Sequence, residues 1–148
     1  HECFMPLTDQ HRFGMQLAQM SRGWRAELDR RLAGLGLSQA RWLVLLHLAR
    51  FDDAPTQREL AQSVGVEGPT LARLLDSLES QGLVQRQSVL EDRRAKKIVL
   101  CAPARPLIEQ IETIATQLRH ELFEGVDEAD LKVCMRVHAH ILGNLEKS

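Results

Sequence analysis

A mainly α-helical chain with one small β hairpin is what this sequence predicts, and three observations predict it. Apolar residues recur at steps of three and four along several stretches, the spacing of one helix face. Aromatic residues are only 4% of the 148 residues, Tyr is absent, and the 44% hydrophobic content is rich in Leu and Ala, which favours helix over sheet. A two-residue period sets in only within residues 83–101, as expected of a short hairpin. With 26% charged residues the chain reads as globular rather than disordered. It is also long enough to bury a core without disulfides or metal.

The first helix carries Phe13, Leu17, Met20, Trp24, Leu28, Leu32 and Leu35 on one face, about six turns, and Gly34 and Gly36 close it. Ser38 is positioned to cap the next helix, whose segment Trp42–Leu48 is apolar nearly all round and therefore central. Asp52–Pro55 reads as a loop. Thr56-Gln57-Arg58-Glu59 is a capping box: the Thr hydroxyl takes an orphan N–H and the Glu reaches back to the cap. The helix it opens ends at Gly65.

Pro69, whose missing N–H costs nothing in a first turn, starts a helix over about 68–81 with Leu71, Leu74, Leu75 and Leu78 inward. Gly82 ends it. Strands at Leu83–Ser88 and Lys96–Leu100 flank a charged link, Glu91–Arg94. Pro103 and Pro106 lead into a helix with Leu107, Ile111, Ile114, Leu118 and Leu122 on one face. After Gly125 a last helix carries Leu131, Met135, His138, Leu142 and Leu145.

Residues 5–148 are thus expected to form a single domain. Residues 37–102 make a central lobe, and residues 5–36 and 103–148 make the terminal helices that flank it. Residues 1–4 read as a non-native remnant ahead of Met5. No apolar run reaches the ~18 residues of a membrane span and no secretory leader opens the chain. Cys3, Cys101 and Cys134 are odd in number and widely spaced, which fits reduced thiols and a cytoplasmic location.

A net charge of −1 argues against indiscriminate coating of nucleic acid. The sign varies along the chain: residues 1–50 are +3, 51–102 are −1 and 103–148 are −3.

The order short helix, glycine turn, helix, charged hairpin defines a winged helix-turn-helix, whose second helix enters the major groove of DNA. Thr70, Arg73 and Ser77 are the expected outward positions, and Arg73 has the fork to grip a guanine. The positive end of the helix favours a phosphate near Gly68-Pro69-Thr70. Thr56 and Gln57, opening the preceding helix, join the DNA-contacting set. At the hairpin tip an Arg can read a narrow minor groove. Asp92 can hold such a guanidinium in a fixed pose beside Arg93 and Arg94. Arg86, Lys96 and Lys97 are expected phosphate contacts. A loop of mixed charge is by itself more often a solvated turn; the capped helix pair ahead of it is what favours DNA.

The segments Leu37-Ser38-Gln39-Ala40-Arg41-Trp42, Thr56-Gln57-Arg58-Glu59-Leu60-Ala61, Pro69-Thr70-Leu71-Ala72-Arg73-Leu74-Leu75, Leu78-Glu79-Ser80-Gln81-Gly82-Leu83-Val84 and Asp92-Arg93-Arg94-Ala95-Lys96 follow in order. In this the chain resembles MarR-family transcription regulators, closest to the SlyA branch, from about residue 8 onward. The resemblance implies a homodimer with two winged-helix lobes joined by the first and last helices. It implies Arg94 as the minor-groove arginine, oriented by Asp92, and Pro69, Thr70 and Arg73 as residues facing the major groove. It also implies a repressor released by a small aromatic anion or an oxidant.

Independently, Leu131–Leu145 has coiled-coil spacing that a lone winged helix does not need. Trp24, Arg25, Trp42 and His47 could line an apolar pocket for an aromatic carboxylate, although two tryptophans on helix faces are more often core. An oxidant-sensing thiol lacks support, since the first helix holds no Cys. His120 and Glu124 are a weak metal pair, and no cofactor is implied. No phosphate-cradling Gly loop, H-E-x-x-H or G-x-S-x-G motif is present, so the chain does not read as an enzyme. A winged helix used to bind protein instead of DNA is the remaining alternative.

Overall fold

The computed structural model describes residues 5–89 and 92–148, without the side chains of Gln39, Val89 and residues 92–95. In order it contains α1 (Asp9–Leu32), a 3₁₀ turn (Ala33–Leu35), α2 (Gln39–Ala49), α3 (Gln57–Val64), α4 (Gly68–Ser80), β1 (Val84–Val89), β2 (Asp92–Leu100), α5 (Ala104–Leu122) and α6 (Glu128–Glu146). Two compact units are distinguished, one running to Ala115 and the other Thr116–Ser148.

In the first unit α2 is the centre. Trp42, Val44, Leu45, Leu46 and Leu48 are all buried, as the all-round apolar pattern predicted. Leu28 and Leu32 of α1 and Leu60, Ala61 and Val64 of α3 are also buried, as are Leu71, Leu75 and Leu78 of α4. Truncating one of these buried leucines to Ala would cost about 2–5 kcal/mol. Leu74, expected inward, is only half-buried. The apolar face of α1 is covered only at its C-terminal end: Phe13, Leu17 and Met20 are 38%, 48% and 60% exposed.

Helix α1 begins earlier than its apolar face, because Thr8 caps it. The Thr8 hydroxyl accepts from the His11 N–H at 3.2 Å while His11 Nδ1 accepts from the Thr8 N–H at 3.1 Å. Ser38 occupies the cap position of α2, but its hydroxyl makes no cap bond and instead accepts from Arg41 Nε at 3.2 Å. The capping box at α3 forms as predicted, with Glu59 N–H to Thr56 Oγ1 at 3.1 Å and Thr56 N–H to Glu59 Oε1 at 2.9 Å. Gly65, at φ 84°, turns the chain from α3 toward α4, a conformation open to Gly and strained for other residues.

The hairpin departs from the predicted boundaries. Val84 to Ser88 pair antiparallel with Leu100 to Lys96, and Val89 then pairs with Asp92. At this shift β1 advances one residue and β2 four, so the residues read as a link, Asp92 to Arg94, belong to β2 as a wide irregularity. Pro55, read as the end of a loop, and Thr56, read as a helix cap, also meet the hairpin. Thr56 bridges Lys97, and Ile98 N–H donates to the Pro55 carbonyl at 2.9 Å.

Helix α5 is phased differently from the prediction. Its buried stripe is Ala104, Ile108, Ile111, Ala115 and Leu118, with Leu107 and Ile114 half-buried and Leu122 exposed. In the second unit Asp127 caps α6 by accepting from the Ala129 N–H at 3.0 Å. Helix α6 has no buried residue, and Val133, Met135, Val137, Ile141, Leu142 and Leu145 all stand exposed.

Candidate nucleic-acid interface

Helix α4 presents Gly68, Pro69, Arg73, Asp76 and Ser80 to solvent, while Thr70 is half-buried at its N-terminal turn. Arg73 therefore lies outward on the middle of the helix, as predicted. Ser77 does not. It is half-buried, and its hydroxyl accepts from Arg41 Nη1 at 3.1 Å, so Arg41 ties α2 to α4 through Ser38 and Ser77. Ser77 sits one step round the helix from the Arg73–Ser80 stripe, on the flank that meets α2.

Thr56 and Gln57, both half-buried, begin α3. The Thr56 hydroxyl is engaged by the Glu59 N–H, and the capping bonds hold the Glu59 carboxyl below its ordinary value, with a smaller contribution from Lys97. Lys96 and Lys97 are exposed on β2, and Lys96 Nζ donates to Ser88 Oγ across the hairpin at 2.9 Å. The side chains of Asp92, Arg93 and Arg94 lie outside the described residues.

Arg86 differs most from its expected role as a phosphate contact. Its guanidinium is held by two carboxylates of α4: Nε and Nη2 reach Glu79 Oε1 at 3.2 and 3.0 Å, and Nη2 also contacts Asp76 Oδ1. These bonds keep the Glu79 carboxyl below its usual range and raise the Arg86 pKa further, Asp76 contributing most to the latter. With only 22% of its side chain exposed, Arg86 is engaged within the fold. Sequence reading missed Asp76 and Glu79; their spacing of three on α4, facing a strand arginine, was the available signal.

The four residues expected to line a ligand pocket differ in burial and in partners. Trp42 is 1% exposed and its Nε1 donates to Asp29 Oδ1 at 3.2 Å, which makes it a core residue with its polar atom satisfied. His47 contacts Ser63 Oγ through Nδ1 at 2.8 Å; burial, then Arg50 and Arg25, lower its pKa. Trp24 is half-buried on α1. Arg25 alone of the four borders an open groove of about 420 Å³, whose other walls include Asp29, Leu43, Val66 and Leu74. His120 and Glu124 border a second groove, in the 116–148 unit. Among the described residues no three His, Cys, Asp or Glu side chains are grouped to hold a metal ion. No single described helix is long and apolar enough to cross a membrane.

A capped helix, a left-handed glycine turn, a second helix with an outward arginine and an adjoining hairpin together define a winged helix-turn-helix protein. A sequence model of the MarR family matches residues 35–95. The crystal structure of the transcriptional regulator PA3341 matches with a TM-score of 0.87 and 67% identity, covering 92% of this chain and 99% of that one. The chain belongs to the MarR family of transcriptional regulators.

The same fold recurs at lower identity. The S. aureus MepR–DNA complex matches at 24% identity with a TM-score of 0.78, covering 94% and 99% of the two chains. CouR from Rhodococcus jostii RHA1 bound to p-coumaroyl-CoA matches at 23% and 0.77, covering 87% and 90%.

Proposed function

We propose that the chain acts as a homodimeric repressor that binds a pseudo-palindromic operator in duplex DNA. The observation that carries this reading is the outward Arg73 on an α4 whose inner leucines are buried, next to a hairpin bearing Lys96 and Lys97. Arg73 and Thr70 read base edges from the major groove. Pro69, Thr56, Gln57, Lys96 and Lys97 approach the backbone, and Arg94, oriented by Asp92 beside Arg93, reads the flanking minor groove. Two-fold symmetry sets the half-sites about 10 bp apart.

The role is binding, without catalysis, in the cytoplasm. Residues 37–102 form the DNA-binding lobe, and residues 5–36 and 103–148 the dimerisation helices. The bound p-coumaroyl-CoA of CouR supports an organic effector. A small aromatic carboxylate facing Arg25 in the groove beside Leu74 of α4 fits a release mechanism, because a ligand shifts an equilibrium by its differential affinity for two states.

The test is titration of a labelled duplex from the chain's own upstream region beside a shuffled duplex, at two salt concentrations. A preference of about 10³ or more with two protomers bound is the expected result. Equal, weak and salt-erased binding to both duplexes, with no sequence recovered by selection from a random pool, would overturn the reading.

A further inference from the structure

The junction between α4 and the hairpin carries a charge cluster that base and phosphate contacts do not explain. Arg86 lies on β1 opposite Ile98, and Ile98 gives its own N–H to the Pro55 carbonyl. At this rung the two strands do not bond one another, so the Arg86 N–H points away from β2. Glu79 takes it, with Oε2 at 3.3 Å. The same carboxylate holds the guanidinium through Oε1 at 3.2 and 3.0 Å, and Asp76 holds it from the preceding turn of α4. A planar guanidinium held at several points fixes orientation as well as distance.

Partly exposed ion pairs of this kind contribute little to stability. Two carboxylates around one cation also weaken the attraction of this face for a polyanion. What the cluster supplies is geometry. We propose that Arg86, Glu79 and Asp76 form a clamp that sets the wing's position against the recognition helix, so that flank readout by the hairpin stays in register with base readout by Arg73. They are positioning residues, and the proposal rests on the DNA-binding reading given above.

Glu79→Gln separates the clamp from the alternative, because the two act on different quantities. If Arg86 is a clamp residue, the preference for A·T-rich over G·C-rich flanks around a constant operator core falls about three- to tenfold. The penalty for a core mismatch and the melting temperature stay as in the wild type. If Arg86 serves phosphate, weakening its hold on Glu79 leaves the flank preference as in the wild type and steepens the salt dependence by about one phosphate contact. That result would overturn the clamp.

Arg86→Lys keeps the charge but loses the fork, and is expected to reproduce the flank effect; it carries the test if Glu79→Gln does not fold. Flank preference retained in either folded variant, or lost together with core discrimination and melting temperature, would also overturn the proposal. A wild-type protein without preference for operator over shuffled duplex would instead overturn the DNA reading beneath it.

Discussion

Arg73 and Asp76 stand three residues apart on the exposed side of α4, and their side chains have different commitments. Asp76 is tied to Arg86, whereas Arg73 is exposed and has no bond among the described residues. Arg73→Ala is therefore expected to leave the fold intact, cost about 1–3 kcal/mol of operator affinity and relax specificity at one position of each half-site. Affinities across single-base operator variants check this, and a uniform loss over all of them would make Arg73 a phosphate contact.

Arg73 was legible in the sequence because the leucine spacing fixes which side of α4 is outward. Ser77 and Arg86 were not. Both look solvent-facing by periodicity, and both are engaged by residues distant or unremarked in sequence: Arg41 is 36 residues from Ser77, and Glu79 is seven from Arg86. Helical period gives a direction in space but not what another element places there.

At the scale of elements, local chemistry was read most reliably. The capping box at Thr56 forms with both of its bonds, and the glycines at 65, 82 and 125 all adopt the left-handed turn. The equivalent box at Thr8 escaped notice because His11 fills the place of the usual Glu or Gln. The isolated bridge from Thr56 to Lys97 is not legible in the sequence because its two residues lie some forty positions apart, beyond any local pattern.

Thr56→Ala is expected to cost about 0.5–2 kcal/mol of stability, measured by denaturant unfolding, since it leaves the Glu59 N–H without its acceptor. The capping box also carries a pH signature. The Glu59 pKa is lower in the folded chain than in the unfolded one, so its contribution is complete above the unfolded value and is lost as pH falls through the folded value. Thr56→Ala keeps the backbone N–H that lowers the Glu59 pKa most and removes only the smaller hydroxyl contribution, so the stability gap between wild type and variant should narrow slightly on acidification below the ordinary Glu range. A gap that widens there would contradict the assigned bonds.

At the scale of the whole molecule, the large apolar residues left uncovered among the described residues lie toward the two ends of the chain. Phe13, Met15, Leu17 and Met20 are exposed on α1, and Met135, Ile141, Leu142 and Leu145 on α6. Exposed apolar surface on this scale marks an association site, and a regulator reading a two-fold operator needs a second copy of itself. Leu142 is 60% exposed and buries little within its own chain. Leu142→Asp should therefore leave helix content unchanged while placing a charge in the proposed seam between protomers, where an unpaired charge is costly. Light scattering is expected to show a monomer at concentrations where the wild type is a dimer. Operator affinity should then fall by about 10²–10⁴, because each lobe binds its half-site without the other's effective concentration. A variant that remains dimeric with wild-type affinity would move the seam away from this part of α6 and leave Leu131 and Met135 as the residues to change next.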